Sequence, residues 1–128
     1  MSLESKVTLR VFSNKLTLEQ ISNVLGKPSY GSSIGDVYSR QQKKREHTFW
    51  GLESLFNSNP VGMHIAEMLE FVDINYEAIN QLKQNGCTVD FICLLSSNNG
   101  QGGFSLSLDI MQSLVERDLA VTFDFYAD

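Results

Sequence analysis

The chain has 128 residues, 42% of them hydrophobic and 20% charged, with a formal net charge of −5 and two cysteines. A single domain over residues 1–128 is expected, because a chain of that length buries roughly two thirds of its unfolded surface in one core and folds unaided. No run of about 18 apolar residues and no basic, apolar leader is present, so neither a membrane span nor secretion is expected, and the cytoplasm is the expected compartment.

The first element is Val7–Phe12, where Val7, Leu9 and Val11 share one face at the period of two of a pleated strand and Phe12 takes the other. Thr17 and Gln20 have the spacing of a capping box, and Leu16 and Ile21 that of a hydrophobic staple. Leu18, Ile21, Val24 and Leu25 form one apolar stripe, and Gly26 followed by Pro28 ends the helix. The segment is a strand followed by a helix that lies back on a sheet.

Residues 29–35 read as a polar, turn-rich loop, and Asp36–Ser39 as the start of a short strand. Arg40–His47 holds four of the ten basic residues and reads as a solvated hairpin tip or edge strand. A nucleic-acid interface is not expected there, because the isoelectric point is near 4.9 and no recognised module accompanies the basic run. Thr48–Phe56 is a second strand, with Thr48, Trp50 and Leu52 on one face and Phe49 on the other. Trp50 is expected in the core with its indole N–H on a partner.

Val61–Asn85 is the longest helical pattern, closed by Gly86. At about 100° per residue, Glu70, Asp73 and Glu77 form an acidic stripe opposite the apolar side, with Glu67 beside it. Met63, Phe71 and Ile74 fall off the main apolar face. Either the helix bends near Asp73-Ile74-Asn75 so that they reach the core, or they belong to a contact surface.

Cys87–Ser96 alternates as a strand and becomes apolar on both faces from Ile92, which predicts a central position. Cys87 and Cys93 are roughly 20 Å apart in an extended strand. They therefore cannot pair with each other and read as buried free thiols. The glycine-rich loop 97–103 lacks the ending of a phosphate-binding loop. Ser107 then caps a helix whose stripe of Leu108, Met111, Leu114 and Val115 is expected to be buried, with Leu106 set to staple on Met111. Ala120–Tyr126 is the last strand, with Val121, Phe123 and Phe125 on one face.

This order predicts an α+β sandwich, an antiparallel or mixed sheet with helices on one face, resembling a ferredoxin-like split βαβ with an additional unit. The run VFS, LTLEQISNVLGKPS, Gly35-Asp36, Trp50 after the basic segment, the long helix ending in Gly86 and the C-terminal SLDIMQSL and VTFDFY together resemble a bacterial family, domain of unknown function 4279. The resemblance spans nearly the whole chain. Its motifs are caps, stops and core aromatics, so it implies domain boundaries and no catalytic residues. Small bacterial proteins of this type often serve as immunity proteins or antitoxins.

No chemistry-bearing cluster stands out. His47 and His64 are not near cysteines or carboxylates at metal-ligand spacing, zinc motifs are absent, and no cofactor is expected. Residues 1–60 carry eight Lys/Arg against five Asp/Glu, net +3, whereas residues 61–128 carry two against ten, net −8. The expected function is therefore non-enzymatic protein binding, immunity-like, in which Glu67, Glu70, Asp73 and Glu77 with Phe71 and Ile74 meet a basic partner. The alternative is a regulatory module that binds a small ligand at the seam of a homodimer, using the loop 97–103.

Overall fold

Five strands and four helices, two of the helices capped by a side chain, are present among the described residues of this computed structural model, which describes residues 3–99 and 102–127. In chain order these are β1 (Leu3–Ser13), α1 (Leu18–Leu25), β2 (Tyr30–Ser32), β3 (Thr48–Glu53), α2 (Val61–Ile74), α3 (Tyr76–Gln84), β4 (Thr88–Ser97), α4 (Leu108–Glu116) and β5 (Val121–Ala127). The fold is α+β, and its sheet has the order β2-β3-β1-β4-β5. That sheet is mixed, because β2 pairs with β3 antiparallel and β4 with β5 parallel. Two compact units divide the chain: Met1–Leu9, Glu53–Asp73 and Asp90–Asp128 in the first, Arg10–Leu52 and Ile74–Val89 in the second.

In the second unit, the capping box is formed as the sequence predicts. The Gln20 N–H donates to Thr17 Oγ1, and the Thr17 N–H donates to Gln20 Oε1. Two orphan amides at the start of α1 are thereby satisfied reciprocally. Gly26 ends the helix with φ +102°, a left-handed value that costs a glycine little. Trp50 is fully buried, and its indole N–H donates to the Gly26 carbonyl at 3.0 Å, which ties β3 to the end of α1.

The segment expected as loop, 29–35, contributes a strand instead. Tyr30, Gly31 and Ser32 pair with Gly51, Trp50 and Phe49. The sequence hides this because the strand is short and hinges on a close backbone approach: a Cβ at Gly31 would lie 2.5 Å from the Phe49 carbonyl oxygen. The strand expected from Asp36 reduces to an isolated bridge between Val37 and Lys44, with the basic residues exposed in the turn.

The long helical pattern breaks at Asn75, whose φ of −107° and ψ of 25° leave the helical region. Ile74 remains 82% exposed, so the break does not carry it into the core.

In the first unit, β1 and β4 present a buried face made of Val7, Leu9, Phe91, Cys93 and Leu95. Both cysteines are free and buried, and burial pushes the Cys93 thiol up to about 12, which keeps it protonated and inert. Ser107 caps α4 by accepting from the Ile110 N–H. The buried stripe expected on this helix is overturned, since only Leu114 is buried while Leu108 and Val115 are 80% and 79% exposed. An amphipathic pattern records that a face is apolar, not that this chain covers it. Of the glycine-rich loop, residues 100 and 101 lie outside the described residues.

Candidate functional site

The first turn of α2 and the segment leading to it bring together residues that the sequence leaves apart. Ser54 follows β3, and its Oγ accepts the Val7 N–H at 3.0 Å and lies 2.8 Å from His64 Nδ1. Both side chains are buried, His64 with 4% of its surface exposed. Ser54 Oγ can donate to an unprotonated Nδ1 or accept from Nδ1–H, so the direction of this bond follows the tautomer of His64. His64 Nε2 is buried without a hydrogen-bond partner among the described residues. Burial lowers the His64 pKa, and the charge of Glu67 opposes that shift. As a nucleophile and base the pair is poorly arranged, because the serine hydroxyl is enclosed and no acid among the described residues orients the other ring nitrogen. Its evident role is to anchor α2 to β1.

Outside this anchor lies a hollow of about 250 Å3 lined by Leu55, Asn57, Asn59, Met63, His64 and Glu67. Leu55 and Met63 form exposed apolar walls. Asn57 is held at its back by a bridge to Ser5, and its Oδ1 accepts the Asn59 N–H at 3.0 Å.

The predicted acidic stripe is divided. Glu67 and Glu70 are exposed on α2, and neither is in an ion pair among the described residues. Asp73, at the end of the same stripe, is engaged: Arg117 holds both its carboxylate oxygens, Nε at 2.6 Å and Nη2 at 3.0 Å. The hydrogen bonds from Arg117 keep the Asp73 carboxyl below its ordinary pKa. Glu77 is exposed in the first turn of α3 and belongs, with Ile74, to the second unit. Phe71 is half-buried.

The second unit has its own depression of about 500 Å3 beside Phe12 and Phe49, with Tyr38, Lys44, Arg45 and His47 around it. The Phe12 and Phe49 rings are 5.1 Å apart, and the Arg45 guanidinium sits 4.3 Å over Tyr38. His47 Nδ1 contacts Asn14 Oδ1. Among the described residues no three His, Cys, Asp or Glu side chains are placed to hold a metal ion, and no helix is long and apolar enough to cross a membrane.

A family model matches residues 3–128, essentially the whole chain. The chain belongs to the family described as Domain of unknown function (DUF4279). No curated protein matches it, and no solved structure does. Membership in DUF4279 carries no assigned chemistry, so the residues themselves must supply the functional reading. Of these, Ser54, Leu55 and Asn57 were missed by sequence reasoning. They follow a strand in a segment without periodicity, where the only signal is an apolar Leu-Phe pair among polar residues.

Proposed function

We propose that this DUF4279 chain is a non-enzymatic cytoplasmic protein-binding domain, acting in the manner of an immunity protein or antitoxin, that engages a basic partner through the outer side of α2. The observation that carries this reading is the hollow between Leu55 and Met63 with Glu67 at its rim. Lys and Arg side chains combine an apolar stem with a charged head. Such a stem fits between Leu55 and Met63 while its head meets Glu67, and Glu70 offers a second carboxylate one turn on. Asp73 contributes little, because its charge is already matched by Arg117. The strand order β2-β3-β1-β4 further supports a ferredoxin-like core, to which α4 and β5 are the additional unit.

The test is capture of partners from a native lysate at low and high salt, with the wild-type chain and with Glu67→Lys/Glu70→Lys. The expected result is a basic protein retained at low salt, released at high salt and lost with the charge reversal. Tight binding indifferent both to salt and to reversal at these residues would sink the assignment.

A second reading, a small-ligand module, is favoured by the depression in the second unit, where rings and the cations Lys44 and Arg45 stand beside the carboxylate of Glu46 and suit a planar ligand carrying both charged and apolar parts. There a metabolite that stabilises the native state raises the melting temperature by mass action. No shift across a panel of aromatic acids and nucleotides counts against it.

A further inference from the structure

From the edge of the sheet in the first unit we infer that a second copy of this chain pairs with β5, antiparallel about a two-fold axis at Phe123. The inference rests on α4 and β5 and is independent of the role proposed for α2.

β5 is the terminal strand of the sheet, and its sequence, VTFDFYA, contains no Lys, Arg or Pro. Lys and Pro are the residues that most often blunt an edge against pairing, and the one charged side chain of the strand, Asp124, is half-buried and accepts the Tyr126 hydroxyl. β2, at the opposite edge, is only three residues long. The direction of the free groups follows from one bond. The Phe91 N–H donates to the Ala120 carbonyl at 3.0 Å, so Ala120 faces β4. Backbone groups alternate along a strand. Thr122, Asp124 and Tyr126 therefore also face β4, whereas Val121, Phe123 and Phe125 present their N–H and C=O groups to the open edge.

The side chains add an apolar surface to that edge. Phe123 and Phe125, in register with the buried Cys93 and Leu95, are nonetheless 41% and 47% exposed, and the Phe104 ring packs 4.9 Å from Phe123. On α4, Arg117 reaches back to Asp73. At about 100° per residue, Leu108, Met111 and Val115 lie on the opposite side of the helix. All three are exposed. With each aromatic residue offering roughly 150–250 Å2, the uncovered parts of Phe104, Phe123, Phe125, Tyr126 and these three residues amount to about 700 Å2. A standard interface takes about 800 Å2 from each partner.

A second copy suits this edge because the strand is complementary to itself in one register. With Phe123 opposite its symmetry mate, Val121 meets Phe125 of the other copy on the apolar side. On the other side Thr122 meets Asp124, so each carboxylate faces a hydroxyl. Centring the axis on Asp124 would set two carboxylates directly opposite, an unfavourable pair. An isologous contact of this kind closes as a dimer.

The test is the mass in solution of the full chain by light scattering, with dissociation followed on dilution. The wild type is expected at twice its 14.4 kDa, and Phe123→Lys/Val115→Glu as a monomer with an unchanged circular dichroism spectrum. Thr122 is exposed, so changes there leave the fold intact and report the register. Thr122→Lys should tighten the dimer and Thr122→Asp loosen it, each by about tenfold, since two such pairs form per dimer. A monomeric wild type overturns the inference and leaves the edge to a different chain. A dimer indifferent to the β5 and α4 changes also overturns it, as do Thr122→Lys and Thr122→Asp shifts of the same sign.

Discussion

Ser54 Oγ bridges the Val7 amide and His64 Nδ1, so a single hydroxyl joins β1 to α2. The consequence is a buried imidazole held neutral beside the hollow on which the proposed contact depends.

His64 therefore makes stability depend on pH in a definite direction. Burial lowers its folded pKa below the ordinary 6.5, so as pH falls the unfolded chain takes up the proton first. The stability gained from the neutral ring is fully present above about pH 6.5, declines as pH falls toward the folded pKa, and changes no further below it. Urea unfolding of the wild type should show this loss as pH falls below the ordinary 6.5. His64→Leu should be less stable at neutral pH, because Ser54 loses its partner, yet have the flatter pH dependence. Equal slopes in the two proteins would refute the claim. Comparing slopes removes every contribution that the two proteins share.

Arg117 and Asp73 make a bidentate pair across 44 positions of sequence, but the Asp73 side chain is half exposed. Solvent screening keeps such pairs modest. Asp73→Asn should cost about 0.5–1 kcal/mol in urea unfolding, a difference that shrinks in about 1 M salt. Arg117 still donates to the Ser113 carbonyl at 2.9 Å, so the end of α4 should persist. Because the folded Asp73 pKa is depressed, the contribution is present above the ordinary carboxylate value of 3.8 and is lost as pH falls through the folded one. A loss above about 3 kcal/mol would mean that the pair is buried in solution.

What was legible in the sequence is what depends on neighbours in the chain. Thr17 and Gln20 are three residues apart, and the capping box can be read from them without knowing the fold. The burial of Trp50 and the separation of Cys87 and Cys93 follow from strand periodicity alone. The pattern breaks at Asn75, but not for the reason the sequence offered, since Met63 and Ile74, which fall off the main face, stay exposed. Contacts made through the third dimension were silent: Ser54 and His64 meet across a loop, and Asp73 and Arg117 across two elements. The apolar stripe of α4 was misread for a related reason. Its pattern matches that of α1, and nothing in its spacing says what lies against Leu108 and Val115.

The same limit explains β2, where a strand was hidden in a loop, and it makes Gly31 the residue to change. Gly31 lies opposite Trp50 in the β2–β3 pair. A Cβ there would approach the Phe49 carbonyl oxygen to 2.5 Å and Leu18 Cδ1 to 2.8 Å. The leucine has rotamers to yield with, whereas the carbonyl belongs to the ladder and can retreat only if the strands part. Gly31→Ala should therefore cost about 1–3 kcal/mol, the range for forced overpacking, even though alanine ordinarily restricts the unfolded chain and so favours folding. Urea unfolding measures the cost, and amide exchange at Tyr30–Ser32 should quicken more than at β4 because only the local pairing is weakened. A change within about 0.5 kcal/mol would show that β2 does not approach β3 this closely.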